Sequence, residues 1–286
     1  MSNVSNNRDS WGSRIGYILS TLGMAVGLGA MWRFPMVVAQ NGGGAFVLAF
    51  ALITIIIVLP AGWAEIGLGR KTKAGSVQAF GSIIGKPGEK IGYLMSLVPL
   101  GLNMYYLIIM GYVLYYIVQT LAGAPFMVDP TGFFNAFSSN RVQATLWSLI
   151  SLVFVTITNL GGIKKGIERA CKVMLPVLFI ILVIMAIRIM TLPGIAEGIE
   201  FYVKPDFSLW KDPNLWITAS GMALFAIGLG PAFLLVYGSY LDDKADVTFD
   251  FATVASWNLT TCLLGGFATI PAVILFGLDL QTGPGL

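Results

Sequence analysis

The chain has 286 residues, of which 56% are hydrophobic and 11% charged, with a formal net charge of +3. A soluble domain of this length needs more charged surface, and so small and dispersed a positive charge does not indicate a nucleic-acid-binding protein. The apolar residues form blocks long enough to cross about 30 Å of hydrocarbon. They do not alternate with polar residues, as the strands of an outer-membrane barrel do. The composition therefore predicts an all-α, polytopic membrane protein.

The apolar blocks predict transmembrane helices that are joined by segments rich in glycine and proline. We call them spans one to seven, and they cover residues 12–38, 43–69, 89–121, 143–161, 167–191, 214–241 and 249–277. The whole chain, 1–286, is predicted to form a single transmembrane domain surrounded by membrane lipid.

Basic residues favour the cytoplasmic side of a membrane protein. If the N-terminus lies inside, 12 of the 17 lysine and arginine residues fall in cytoplasmic segments. The acidic segment 240–250 does not follow this rule, but acidic residues have little influence on topology. We therefore predict a multi-pass protein of the plasma membrane with a cytoplasmic N-terminus.

Catalytic chemistry finds little support in this composition. The chain contains no histidine, so the common Ser–His and Cys–His catalytic sets are excluded. No phosphate-binding motif occurs, and Cys171 and Cys262 stand in apolar contexts without metal-type spacing. We predict that the protein is not an enzyme.

One short pattern occurs twice, as "AVGLGA" at 25–30 in span one and "AIGLGP" at 226–231 in span six. The two spans would cross the membrane in opposite directions, and paired interrupted helices of this kind indicate an inverted-repeat transporter. Unwinding frees backbone groups that survive in a membrane only beside a ligand or a water-filled cavity. Free carbonyls can bind a sodium ion, and helix N-termini can bind a carboxylate. The alternative is that the glycines only permit close helix packing, but two matched patterns favour two broken helices.

Four segments carry a resemblance to a known family: "GLGAMWRFP" (27–35), "NGGGAF" (41–46), "GIERACKVMLP" (166–176), and "FAIGLG" with "YGSYL" (225–230 and 237–241). They resemble the neurotransmitter:sodium symporters, and the bacterial amino-acid transporters most of all. The resemblance implies a leucine-transporter-like inverted-repeat fold with broken helices one and six. Residues 1–191 would form the first five-helix repeat, and 214–286 the first two helices of an incomplete second repeat.

The resemblance also implies a substrate site between the two broken helices. Tyr106 matches a tyrosine whose hydroxyl contacts the substrate carboxylate. Monoamine carriers of the family have an aspartate where this chain has Gly27, so the substrate should bring its own carboxylate to the freed amides of Gly27–Gly29, which favours an amino acid. Leu102 and Phe225 could equally be core residues. The implied substrate-binding set is Ala25, Gly27, Gly29, Leu102, Tyr106, Phe225, Gly228 and Pro231.

Four residues match gating positions of the family: Arg8 and Trp11 in an inner latch, Arg33 in an external gate, and Glu65 as a buried carboxylate that steadies the broken helices. Each has a plainer alternative. Arg8 and Trp11 could be interfacial anchors, Arg33 could extend to the outer surface, and Glu65 could lie near Arg70 at the inner surface.

The external gate of the family pairs this arginine with an acid on a tenth helix, which the chain does not contain. Asp129 and Glu200 are the acids that could replace it, although nothing in the sequence supports either.

Sodium is the implied coupling ion, and the resemblance gives it two sites. The first would keep only the Ala25 carbonyl and Asn258, because Ala30 and Ala226 replace residues whose side chains bind the ion. A hard cation requires oxygen ligands, so this site should be weak or lost. The second would use the carbonyls of Gly23 and Val26, with further ligands from an eighth helix.

Chloride coupling is not expected. Members of the family that depend on chloride offer tyrosine, glutamine and serine side chains at its site. This chain has apolar or thiol side chains at the four positions, namely Phe50, Met222, Ala226 and Cys262.

We therefore predict sodium-coupled symport of an amino acid by alternating access. The sequence stops in what would be a loop after the seventh helix, so we expect a fragment, with further helices supplied by a longer product or a second chain. The alternative is a degenerate or truncated relative that serves as a non-transporting membrane subunit, suggested by Ala30, Ala226 and the early stop. A proton-coupled carrier with the same inverted repeat is a weaker third hypothesis.

Overall fold

The computed structural model describes residues 9–27 and 29–277. Within these residues the chain is helical throughout, and its one β-type pairing is an isolated bridge between Gly43 and Pro205. The α-helices are numbered α1 to α13 in chain order.

Five of the predicted spans form helices long and apolar enough to cross a membrane. Span two consists of two α-helices that are joined by a π-helical turn at Thr54–Val58. Span five begins with a second π-helical turn at Ile163–Ile167 and continues as an α-helix. The α-helices of these spans are α3 (Gly44–Ile53) and α4 (Leu59–Thr72), α6 (Lys86–Leu121), α8 (Arg141–Leu160), α9 (Glu168–Met190) and α13 (Val247–Leu275).

Spans one and six are each broken near the middle, as the repeated pattern predicts. Span one consists of α1 (Arg14–Ala25), then a π-helical turn at Gly29–Arg33 that leads into α2 (Phe34–Gln40), and its two halves are bent by 51°. Span six consists of α11 (Pro213–Ile227) and α12 (Phe233–Ser239). The connecting segments add short helices, namely α5 (Ser76–Ile84), α7 (Pro130–Ser139) and α10 (Ala196–Val203).

The buried core lies where spans one, two, six and seven meet. The helix α13 packs against α1, α2, α4, α9 and α10, while α12 packs against α4 and α11 against α3. In the most apolar stretch of α13, 50% of the residues are buried. In the corresponding stretches of α6 and α8, only 6% of the residues are buried. Apolar side chains that lie exposed on spans three and four suit contact with hydrocarbon.

Glycines bring α4 and α12 unusually close together. A Cβ placed on Gly69 would collide with the Leu235 carbonyl oxygen, and one on Gly238 would lie 2.5 Å from the Ile66 carbonyl oxygen. Small residues of this kind permit close approach of membrane helices. The contact places Glu65 of α4 beside the break in span six.

Side-chain caps fix where the broken spans begin. Ser13 accepts a hydrogen bond from the Gly16 amide at the start of α1, and Asp212 accepts one from Asn214 at the start of α11. Such caps satisfy amide groups that have no partner within the helix.

Candidate functional site

A cavity of about 830 Å³ lies between the breaks of spans one and six. All eight residues of the predicted substrate set line it, together with Gly23. The lining residues that the sequence reasoning missed are Met24, Ser96, Pro99, Leu100, Asn103, Leu224, Leu229 and Phe233. Asn103 could have been found, because it precedes Tyr106 by three residues and therefore shares its helix face.

The break in span one starts with a tight turn at Val26. Its backbone angles are φ −81° and ψ 79°, and the Gly27 amide donates to the Ala25 carbonyl over 3.0 Å. This is an inverse γ-turn. In a continuous helix the Gly27 amide would bond to the Gly23 carbonyl, so the turn deprives Gly23 of its usual donor. The Gly27 amide is therefore not one of the freed amides predicted to meet the substrate.

The break in span six depends on left-handed backbone geometry. Gly228, Gly230 and Ala232 have φ of +71°, +106° and +63°. At the end of α11 the Gly228 amide donates to Phe225 over 3.1 Å, and the Leu229 amide to Leu224 over 3.0 Å. These two bonds form a Schellman motif, which commonly ends a helix.

Glu65 supplies acceptors to the unwound segment of span six. Its Oε2 accepts from the Gly230 amide over 3.1 Å, and its Oε1 from the Leu235 amide over 3.3 Å. Hydrogen bonds from amides to a carboxylate are stronger than those between neutral groups. Arg70 donates instead to the Ala245 carbonyl over 2.6 Å, so the alternative position of Glu65 beside Arg70 is wrong.

On the side of the cavity nearer the second half of span one, Phe225 lies against Gly29 and Arg33. The Arg33 guanidinium lies 4.7 Å from the centre of its ring. A Cβ placed on Gly29 would lie 2.8 Å from the Cε1 of Phe225, so the ring packs directly against the Gly29 backbone. Arg33 is exposed, and its geometry is that of a cation–π contact.

Neither acid that could pair with Arg33 does so. Asp129 accepts from the Gly132 amide as the cap of α7, and Glu200 binds Lys204 over 2.7 Å on α10. Both carboxylates thus bind groups of their own helices, and the contact observed for the Arg33 guanidinium is the one with the Phe225 ring.

At the N-terminal end of span one, Trp11 packs between spans one and six. Its Nε1 donates to the Tyr237 carbonyl over 3.1 Å, and its ring lies 5.3 Å from the Tyr237 ring and 5.6 Å from that of Tyr17. Arg8, the other residue of the predicted latch, lies outside the described residues.

Two further contacts, missed by the sequence reasoning, hold the start of α1. Arg14 Nε lies 2.6 Å from Oδ1 of the buried Asp250. Glu168, also buried, accepts from the Gly12 amide over 2.9 Å and from Ser13 Oγ over 2.8 Å, and binds Lys172. The half of span one that precedes the break is thus attached to spans five, six and seven.

Three of the predicted sodium residues, Gly23, Ala25 and Val26, lie at the break of span one, and the fourth, Asn258, lies on α13. Asn258 is buried on α13, and its Oδ1 has no hydrogen-bond partner within the described part of the chain. Ala25, Ala30 and Ala226 are buried in the same core. No cluster of three or more acidic, histidine or cysteine side chains occurs among the described residues. At the chloride positions, Phe50, Met222, Ala226 and Cys262 are fully packed core residues.

Comparison with known proteins identifies the family. The model of the sodium:neurotransmitter symporter family matches residues 8–127 and 135–278. The chain belongs to this family.

Two curated relatives and one solved structure are similar to this symporter-family chain. An uncharacterized sodium-dependent transporter of Haemophilus influenzae is 35% identical over 100% of this chain and 65% of its own length. One of Bacillus subtilis is 32% identical over 96% and 62%. The crystal structure of MhsT in complex with L-phenylalanine is 33% identical with a TM-score of 0.89, covering 98% of this chain and 64% of MhsT. The chain thus spans less than two thirds of the length of these relatives.

The comparison confirms the predicted fold of a multi-pass, all-α symporter with broken helices one and six. The family consists of transporters rather than enzymes. The two-repeat division at 191 and 214 stays a prediction.

Proposed function

We propose that this chain forms the substrate-binding core of a sodium-coupled amino-acid symporter that works by alternating access. The observation that carries the proposal is the central cavity, where the unwound segments of two broken spans meet Tyr106. Unwound backbone within a membrane is tolerated where it lines such a cavity.

The lining favours a zwitterion with an apolar side chain. None of the described lining residues is charged, so backbone groups and neutral polar side chains would have to bind both charged ends of an amino acid. We propose that the Tyr106 hydroxyl and the Gly29 amide bind the carboxylate, because the Gly27 amide is engaged by Ala25. The apolar side chains of Leu102, Phe225 and Phe233 also line the cavity. MhsT, whose structure contains L-phenylalanine, supports an apolar or aromatic substrate.

For sodium we propose the Gly23 and Val26 carbonyls as the stronger site of this chain. The Gly27 amide turns away from Gly23 toward Ala25, which leaves the Gly23 carbonyl oriented for another partner. The site at Ala25 and Asn258 stays weaker, because the methyl groups of Ala30 and Ala226 offer no ligand. The four packed side chains at the chloride positions support transport without chloride.

Alternating access would use the two breaks as hinges. The outer contact of Arg33 with Phe225 and the inner contact of Trp11 with Tyr237 lie on opposite sides of the cavity. We propose that they close in turn, with the N-terminus and Trp11 on the cytoplasmic side of the plasma membrane. The complete cycle needs the helices that the longer relatives contain beyond this region.

Uptake of labelled amino acids by the full-length gene product in proteoliposomes tests the proposal. We expect uptake of L-phenylalanine or another apolar amino acid that requires an inward sodium gradient and persists when gluconate replaces chloride. Tyr106→Phe should raise KM about tenfold, since it removes a hydrogen bond to a charged group. Tyr105→Phe is the matched control, because Tyr105 is exposed and does not line the cavity.

The opposite result would be correctly inserted protein that takes up none of the twenty amino acids. A non-transporting membrane subunit would then be the better description. Uptake that follows a pH gradient without sodium would instead favour a proton-coupled carrier.

A further inference from the structure

Spans one and seven pack in parallel along their inner halves. Arg14 and Asp250 are paired near their starts, and a Cβ on Gly265 would lie 3.4 Å from the Ala30 carbonyl oxygen. These contacts are 16 residues apart in span one and 15 apart in span seven. The register is therefore almost one to one, and Asn258, midway along span seven, lies level with residues 21–25 of span one.

Three buried oxygens along this seam have no hydrogen-bond partner within the described residues. They are the Tyr17 hydroxyl, Thr21 Oγ1 and Asn258 Oδ1, on residues with exposed fractions of 1%, 0% and 1%. The Tyr17 and Thr21 hydroxyls lie near each other, one helical turn apart, without a hydrogen bond of normal geometry. An unpartnered buried polar atom costs about 1–3 kcal/mol, so three on one seam require an explanation.

The positions of these residues place them between the same two helices. At 100° per residue, Thr21 and Ala25 lie on the face of α1 that carries Arg14, with Tyr17 at its edge. On α13, Asn258 shares the face of Asp250 and Gly265. Ser20, a fourth buried residue with an unpartnered oxygen, points instead toward Cys171 of α9 and is not part of this seam.

The seam also joins two cavities. Ala25 at its outer end lines the central cavity. Tyr17 and Asp250 at its inner end line a second cavity of about 340 Å³, which includes Trp11, Arg14 and Asp246. Oxygen-bearing side chains between two cavities offer a hard cation a place to exchange its water ligands.

We propose that Tyr17, Thr21 and Asn258 form an inner sodium station, which the coupling ion occupies between the central cavity and the inner cavity. The inference rests on the proposed function, since it needs a protein that moves sodium. It adds ligands from the inner half of span one to a site that otherwise keeps only Ala25 and Asn258.

Equilibrium binding of radioactive ²²Na⁺ to the purified full-length protein tests the station. Thr21→Val and Tyr17→Phe each remove one oxygen and keep the shape of the side chain, and we expect each to raise the half-saturating sodium concentration about tenfold. Thr21→Ser keeps the oxygen and should bind like the unchanged protein. The matched control is Thr261→Val, because Thr261 is equally buried but its hydroxyl already donates to the Trp257 carbonyl.

Sodium binding that is equal in Thr21→Val, Tyr17→Phe and Thr261→Val would overturn the station and leave the oxygens to a buried water. Equal losses in Thr21→Val and Thr21→Ser would overturn it as well, since the effect would then come from packing. Binding of a labelled amino acid at saturating sodium reports folding, and if Thr21→Val does not fold, Tyr17→Phe decides the outcome. Absence of sodium binding in the unchanged protein would refute the proposed function itself, whereas normal binding that the variants do not alter refutes only the station.

Discussion

The two breaks have nearly the same sequence but use their glycines differently. In span one the helix stops after Ala25 and resumes at Gly29, while in span six it stops after Ile227 and resumes only at Phe233. The break in span six needs three left-handed residues and a carboxylate from span two. Among the described residues of the break in span one, 26, 27 and 29, none has a positive φ. In span six glycine supplies backbone geometry, and in span one it supplies room for the cavity and for Phe225.

This difference assigns the two breaks different tasks. Glu65 attaches the break of span six to span two, because it accepts from the Gly230 amide in the break and from the Leu235 amide in α12. The break of span one has open space beside Gly27, where a Cβ would meet nothing within 4 Å. Changes in span six should therefore act mainly on stability, and changes in span one mainly on substrate and ion binding.

Among the substitutions that distinguish the two breaks, removal of the Glu65 carboxylate should lower Tm the most. Glu65→Ala leaves the Gly230 and Leu235 amides without their acceptor, at a cost of about 1–3 kcal/mol for each. We expect a fall in Tm of the full-length protein in detergent and a loss of amino-acid binding, with a smaller fall for Glu65→Gln, which keeps one oxygen. Glu200→Gln on the exposed surface is the control and should leave Tm unchanged. A normal Tm for Glu65→Ala would show that water serves these amides equally well.

The next largest effect should be a difference in Tm between alanine substitutions at Gly228 and at Gly27. Gly228 has φ +71°, and a side chain in this left-handed region costs about 1–2 kcal/mol. We expect Gly228→Ala to lower Tm. Gly27→Ala should leave Tm unchanged and raise KM for large amino acids, because its methyl group enters the cavity. Equal thermal shifts for the two variants would contradict the different tasks assigned to the breaks.

Sequence reasoning found both breaks and nine of the seventeen described residues that line the cavity, but not how each break is closed. The Gly-Leu-Gly pattern marks where a helix can end, and the family resemblance supplied Tyr106. The sequence did not reveal that Ile227 stays helical while Val26 does not. Both sequences permit either geometry, that is, the Schellman motif that ends α11 or the γ-turn centred on Val26.

The contacts between distant spans could also not be predicted from the sequence. Arg14 counted only as a basic residue and Asp250 only as part of an acidic segment, yet the exposed Arg14 and the buried Asp250 form an ion pair across 236 positions. Glu168 likewise caps the start of α1 from span five. No periodicity encodes such pairs, since they follow from which faces of spans one, five and seven meet.

A third effect should arise where span one touches span six. Gly29→Ala places a methyl group 2.8 Å from Phe225 Cε1, so the ring must move. Overpacking of this kind costs about 1–3 kcal/mol, and we expect KM for the amino acid to rise about fivefold or more. Phe225→Leu in the same chain should restore much of the affinity, because residues in contact are not additive. Additive losses in the double variant would show that Gly29 acts through something other than the ring.

The smallest effect should come from Arg33 at the outer rim. An exposed cation–π contact is worth about 0.5–1 kcal/mol, so Arg33→Gln should weaken amino-acid binding by a few fold at most. Arg33→Lys keeps the charge over Phe225 and should lose less, and Lys211→Gln, at an exposed basic residue near the start of span six, should change nothing. Dissociation rates of a labelled amino acid measure the difference, because an outer contact controls how quickly the ligand leaves. A loss much larger than this in Arg33→Gln would contradict the prediction, because it would mean that the guanidinium has a stronger partner than Phe225.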